Sequence, residues 1–505
     1  MQGKSTSDRQ MLDAAAFCRG LVEEGTVYAF LADHRKELFS DEDFADLFPS
    51  GRGRPSTPVE LICSVMVLQA LEGLSDRDAI RQLRNRIDWK VACGLALNDA
   101  GFDFTNLTFW RAKLRVSARP NRIFDAVKAV VDETGVLAKK HRRALDSTIL
   151  DDAVATQDTV TQIISAVRRA KLAVPELDAV ELRHDYTVVG KPVIDWSART
   201  ERDGIVSVLV NDAIDLLDAI GEAELTPAQD DAIGMLALVA AQDVEPGETP
   251  GTWRIARRVA KDRMISVVDP QARHGHKSVA VRKDGFKAHL ALEPDTGIVT
   301  AAMITPANAP DGPSGVVLME SEPEGLEVLA DSAYGSGATR TALNEKHHRL
   351  VIKPMPSHPA VPGGLRRDDF VVDHASRSVT CPAGHTARLS PSGVAKFHPH
   401  CGTCPMKSRC TTAKARSFSV GPYDEELVAA RAAWRDEEIT ASYRSHRPMA
   451  ERSIAWLVAK GNRRLRYRGI EKNDAWLQVR VAALNLRRLL ALGLSFDNGW
   501  KIALT

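Results

Sequence analysis

The sequence lacks a substantial net charge of either sign, with 67 Lys and Arg against 66 Asp and Glu. Such a balance argues against a simple basic nucleic-acid binder. Long hydrophobic runs are lacking too. The longest, Ala232 to Ala241, is far short of the roughly 20 residues that a membrane helix needs, and the opening Met1-Gln-Gly-Lys-Ser-Thr-Ser has no signal-peptide core. A cytoplasmic location without membrane association is therefore expected. Cysteine is scarce and wrongly spread for a secreted disulfide framework: seven in all, four packed between Cys381 and Cys410 and three in the first hundred residues.

What the chain does contain is enough apolar sequence, 44% of 505 residues, for two to four structural units. Its charge is also unevenly placed. From Asp212 to Glu248 there are ten acids and no Lys or Arg, whereas Tyr443 to Arg488 holds twelve Lys and Arg against three acids, a local excess of nine positive charges. That separation favours a polyanion docking on one part of the surface only.

The stretch Glu327-Val-Leu-Ala-Asp-Ser-Ala-Tyr-Gly-Ser-Gly337 reads as a buried strand that delivers Asp331 at its end, where ligands of open α/β sheets collect. Asp331 can equally cap a helix starting near Ala338. Arg143-Ala-Leu-Asp-Ser-Thr-Ile-Leu150 repeats the pattern with Asp146, behind the basic run Lys139-Lys-His-Arg-Arg143. Further strand signals fall at Met264–Val268, at the hairpin Gly285–Glu293 with Ile298–Ile304, and at Arg349–Lys353. Helix signals fall at Asp311 to about Glu320 and about Ala338 to Glu345. This order predicts an α/β layer fold with a mixed sheet. His274, His276, Lys277, Arg282 and Lys283 form a basic loop before the hairpin, able to touch phosphates or simply solvated. Asp151 and Asp152 are expected to be helix-start or solvated residues.

Around this core the chain divides into six stretches. Residues 1–138 read as helical. Thr57-Pro-Val-Glu60 starts a helix to about Glu72, Asp76 to about Ile87 carries Arg77, Arg81, Arg84 and Arg86, and Asn106 to Arg115 carries Arg111 and Lys113. A helix-turn-helix-like DNA-binding unit and an ordinary helical packing module both fit. Residues 139–158 hold the first strand, 159–262 a helical insertion, and 263–356 the remaining strands and helices. Residues 357–420 hold Cys381, Cys401, Cys404 and Cys410, a possible tetrahedral zinc knuckle with His385 as a weaker ligand, or four reduced thiols. Residues 421–505 are helical, with Pro448 starting or kinking a helix and Glu451 in its first turn.

Asp146, Asp331 and Glu451 converging from three elements would hold two Mg²⁺ or Mn²⁺ ions for phosphodiester chemistry. Arg447, Lys460, Arg463, Arg464, Arg466 and Arg468 would position the phosphates without reading bases. The order Leu-Asp-Ser-Thr, Asp-Gly-Phe-Lys-Ala-His, Ala-Asp-Ser-Ala-Tyr-Gly-Ser, then Glu451 with Gly-Asn-Arg-Arg-Leu-Arg-Tyr-Arg-Gly and Ala-Leu-Asn-Leu resembles bacterial insertion-sequence transposases of the DDE type, most closely insertion-sequence family 1182. Gly53-Arg-Pro-Ser-Thr-Pro58 and Leu71-Glu-Gly-Leu-Ser-Asp76 resemble that family's N-terminal helical domain. The resemblance implies a ribonuclease H-like catalytic core, Asp146, Asp331 and Glu451 as the triad, and Mg-dependent strand cleavage. It also implies joining of the freed 3′ hydroxyl to target DNA, by a homodimer bridging two terminal inverted repeats in the bacterial nucleoid. Arg447 fits the family's spacing before the Glu, whereas Tyr443 is displaced by one residue and Val458 replaces a later basic residue, which leaves Tyr443 and Lys460 as weak carry-overs. A metal-dependent nuclease of the same fold, a catalytically inactive DNA-binding regulator and a zinc-dependent adaptor are the competing readings.

Overall fold

A computed structural model describes residues 1–4, 12–50, 52–276 and 282–502. Lys277 lies outside them. Helices α1 (Val27–Leu38), α2 (Val59–Glu72), α3 (Asp76–Asn85), α4 (Ile87–Cys93), α5 (Thr105–Arg115) and α6 (Arg122–Thr134) form the first part of the chain. Every residue of α2 from Val59 to Ala70 is buried, as its nearly unbroken apolar sequence requires. Pro58, not Thr57, is its N-cap, and Gly73 ends it at φ 68°, a left-handed conformation that favours glycine. A Cβ on Gly73 would stand 2.2 Å from the carbonyl oxygen of Lys460, so the same glycine lets a late basic segment come close.

The central sheet has six strands: β1 (Arg142–Asp151), β2 (Arg273–His276), β3 (Arg282–Glu293), β4 (Ile298–Pro306), β5 (Glu327–Ala330) and β6 (Arg349–Ile352). Antiparallel β3 lies on one edge of β1, with β2 and β4 beyond it. Parallel β5 and then β6 lie on the other edge. The sheet is mixed, as its sequence order implies. Side chains alternate between its faces. Ala144 and Leu150 of β1 face the largest apolar core together with Ala288, Leu290 and Leu329, whereas Leu145 faces a second core with Ala291, Val328 and Ala330. Asp146 shares the first face and Ser147 the second.

Helices α7 (Thr159–Ala173), α8 (Arg199–Ile220) and α9 (Pro227–Gln242) build a separate apolar cluster, and short ribbons between residues 365 and 420 build another. The expected strand at Met264–Val268 does not form. Its backbone is held by glutamine side chains instead: Gln242 Oε1 accepts from the Met264 amide at 3.0 Å and Gln157 Oε1 from the Val267 amide at 2.9 Å. Helices α10 (Asp311–Leu318) and α11 (Gly337–Asn344) cover the second face. After α12 (Asp424–Ala433) come the long helices α13 (Glu437–Val458) and α14 (Ile470–Ala491). Pro448 neither starts nor ends α13 but lies inside it, because Asp436 caps the helix eleven residues upstream of Arg447 with its carboxylate. Glu451 is thus deep in α13, away from the first turn in which it was expected.

No core boundary falls at residue 138. Helices α2, α5 and α6 share one apolar cluster with β1, β3, α13 and α14. Arg480 of α14, 1% exposed, ties the parts together: its guanidinium donates to the carbonyls of Ala70 at 2.6 Å, Leu71 at 3.0 Å and Leu457 at 3.1 Å. Among the described residues no helix is long and apolar enough to cross a membrane.

Candidate active site

Parallel pairing of β1 with β5 stops at Ala144 opposite Leu329. Farther along the same edge, residues 463–465 take over: the Asp151 amide donates to the Arg463 carbonyl at 2.8 Å and the Leu465 amide to the Asp151 carbonyl at 2.9 Å. Between the two, β1 has no strand partner on that side among the described residues. Two arginines satisfy its carbonyls in this notch, Arg447 Nη1 donating to Leu145 O at 2.6 Å and Arg463 Nη1 to Ile149 O at 3.0 Å.

Asp146 opens into the notch from β1, and Asp331 follows the last residue of β5. Both reach one guanidinium. Arg447 Nη2 lies 2.9 Å from Asp146 Oδ1 and 3.9 Å from Asp331 Oδ2. Asp331 also accepts the Ala333 amide at 2.8 Å, so its capping role is real, but it caps the short turn Ser332–Tyr334 while Ser336 caps α11. The Asp331 side chain remains 44% exposed, against 12% for Asp146. Burial pushes the Asp146 carboxyl above the usual carboxylate range, and the Arg447 guanidinium and the Ser147 amide pull it only part of the way back.

Tyr443, Arg447 and Glu451 follow one another at four-residue spacing and so share a stripe of α13. Burial raises the pKa of the Tyr443 hydroxyl, Arg447 opposes this, and the carboxylates of Asp331, Glu451 and Asp146 add to it. Glu451 and the two aspartates thus all act electrostatically on Tyr443, and Glu451 itself is exposed.

The basic residues expected on phosphates divide into two groups. Arg447 is buried and spent on Asp146 and Leu145, and Arg463 is half-buried against Thr148 and Ile149. Lys460, Arg464, Arg466 and Arg468 are exposed; Arg464 borders the notch and donates to Ala153 O at 3.4 Å, while Arg466 donates to the Gly73 carbonyl at 2.5 Å. The basic run before β1 is engaged internally: Lys140 pairs with Asp295, Arg142 with Glu327, and buried Arg143 with Glu322 at 2.6 Å. Several arginines of the N-terminal helices are also paired, Arg86 with Glu72 and Asp88, Arg111 with Asp76, and Arg115 with Glu471, as in a packing module. Asp152, expected in solvent, is 6% exposed, and burial beside Asp269 pushes its carboxyl up to about 6.

The acids supply only oxygen ligands, which suits Mg²⁺ or Mn²⁺, and two of them already converge on a cation, the Arg447 guanidinium. Yet among the described residues no group of three His, Cys, Asp or Glu stands close enough to form a ready-made metal site. The same holds for the thiols. Cys381, Cys401, Cys404 and Cys410 are free and line one cavity with His385 and His400, whose rings stack at 4.5 Å, so the segment gathers the expected ligands without closing them into a knuckle.

Residues 380–490 match the family model of a transposase DDE domain, and residues 18–113 match a second model, transposase domain (DUF772). The first match spans the cysteine segment, the stripe of α13 with Arg447 and Glu451, the exposed basic strip and α14. Asp146 and Asp331 lie outside both. No curated protein and no solved structure matches the chain. Two separate parts of the sequence are thus similar to transposase domains, and together they support a DDE transposase.

Proposed function

We propose that the chain is a DDE transposase that binds the terminal inverted repeats of an insertion sequence, cleaves DNA in a Mg²⁺-dependent reaction and transfers the freed 3′ end into target DNA. The convergence of Asp146 and Asp331, from neighbouring parallel strands, on the single Arg447 guanidinium carries this reading. The strand order, with antiparallel β4 and β3 on one side of β1 and parallel β5 and β6 on the other, fits a ribonuclease H-like sheet. Asp146, Asp331 and Glu451 would hold the divalent ions, which supply a polarised, negatively charged oxygen nucleophile and charge neutralisation at the phosphate. Lys460, Arg464, Arg466 and Arg468 bind the sugar-phosphate chain next to the notch and fix its register. Arg447 keeps β1 in place and counters the acids until the ions arrive. A homodimer holding two transposon ends suits the chemistry of joining both to one target.

The test is a strand-transfer assay with a 3′-hydroxyl end substrate carrying the flanking repeat, with Mg²⁺ compared against Ca²⁺. Joined products that vanish in Asp331→Asn support the reading. Hydrolysis without joining assigns a nuclease, and DNA binding unaffected by the substitution, with no cutting by the unaltered protein, assigns a non-catalytic regulator.

A further inference from the structure

On the face of the sheet opposite Arg447, directly behind Asp146, lies a group of polar side chains that the chemistry above leaves unused. Lys287 and His289 alternate along β3 and register opposite Ile149 and Ser147 of β1. They converge on Asp311, the first residue of α10. Its Oδ1 accepts from Ser147 Oγ at 2.7 Å and lies 3.2 Å from Lys287 Nζ and 3.6 Å from His289 Nδ1. Lys287 is fixed further by donating to the Ala309 carbonyl at 2.7 Å, and His289, fully buried, bonds Thr305 Oγ1 through Nε2 at 2.8 Å.

Ser147 links this cluster to the site. Its hydroxyl donates to Asp311 on one face, while its amide donates to Asp146 Oδ1 at 2.8 Å on the other. Tyr334 stands beside the link. Its hydroxyl is buried next to the Ser147 side chain, in the field of the Asp311, Asp146 and Asp331 carboxylates. A half-buried carboxylate that accepts a hydroxyl adjoining a metal-binding acid restrains where that acid points, and such outer partners set metal affinity.

We infer that Asp311 is a positioning residue for Asp146: held by Lys287, it fixes residues 146–147 of β1 through the Ser147 hydroxyl and so aims the Asp146 carboxylate for a divalent cation. This rests on the proposed role of Asp146, and the experiment separates the two.

Mn²⁺ binding to the full-length protein without DNA is followed by the loss of the free-ion electron paramagnetic resonance signal. Variants Asp146→Asn, Ser147→Ala, Ser147→Thr and Asp311→Ala are compared with the unaltered chain. Ser147→Ala and Asp311→Ala are expected to weaken binding roughly 10–100-fold, as outer-partner losses do, and Ser147→Thr, which keeps the hydroxyl, to restore it. Binding that survives Ser147→Ala and Asp311→Ala at full strength but disappears in Asp146→Asn overturns the inference and leaves the site reading intact. Binding that does not depend on Asp146 overturns both. Should Asp311→Ala fail to fold, the Ala and Thr variants at Ser147 decide, because they differ in the linking hydroxyl and leave Asp311 untouched.

Discussion

Replacing Arg447 with alanine strands the Asp146 carboxylate in a buried notch without its counter-charge. Removal of one partner of a buried pair costs about 3–5 kcal/mol, so Arg447→Ala should unfold at clearly lower denaturant, and Asp146→Asn added to it should recover much of the loss. The cost also depends on pH. A carboxyl whose folded pKa is raised favours the native state when protonated, a contribution present at low pH and lost as pH rises through the folded value. Denaturation of Arg447→Ala measured at pH 4 should therefore show a smaller deficit than at pH 8. Asp152, raised to about 6, follows the same sign. Its contribution is full below the unfolded carboxylate range near 4 and gone above about 6, so Asp152→Asn should match the unaltered chain at pH 4 and exceed it at pH 7.5 by on the order of 2 kcal/mol. The strand positions of Asp146 and Asp331 were legible in the sequence because each follows or interrupts a short apolar run, whereas Glu451 was expected in a first turn and lies deep in α13. Asp311 was not legible: Asp-Gly-Pro-Ser reads as a helix start, and only the pairing of β1 with β3 brings Ser147, Lys287 and His289 to it.

Among the elements, α13 combines a local defect with a long reach. Pro448 has no amide to offer the Arg444 carbonyl, a loss that costs up to about 3 kcal/mol in a helix interior. Since Pro448 lies between Arg447 and Glu451, Pro448→Ala should stabilise the fold in chemical denaturation while lowering the proposed Mg²⁺-dependent cleavage, by altering the backbone that separates these two side chains. An unchanged cleavage rate would show that the proline has no part in setting that spacing. The strands β1, β3, β4, β5 and β6 could be read from apolar alternation and turn residues. The failures have particular causes. Met264–Val268 is apolar enough for a strand, but Gln157, Gln162 and Gln242, remote in sequence, hold its backbone. Pro448 reads as starting or kinking a helix, and a lone sequence does not show which, because helix formation on both sides must outweigh one missing hydrogen bond.

At the scale of the whole molecule, near-zero net charge hides a basic strip set beside an acid-lined notch. Lys460, Arg464, Arg466 and Arg468 are exposed, and under the proposed function they are the groups that meet phosphates. Replacing all four with alanine should weaken binding of unrelated duplexes to a similar degree. It should also flatten the plot of log affinity against log salt by about 0.9 for each phosphate that is no longer neutralised, as fluorescence anisotropy would report. An unaltered salt slope would move the DNA path to another surface. The expected break between a helical domain and the core could not be tested from composition, because the continuity depends on α14 packing against α2, α6 and β4. That arrangement has a consequence for biosynthesis. Helix α2 leaves the ribosome hundreds of residues before α14, which covers it, and Arg480, which closes its final carbonyls, arrives last of all. A copy of the gene cut short by a frameshift would release α2 packed only on its N-terminal neighbours and bare where α14 should lie, a product for proteases rather than a working half.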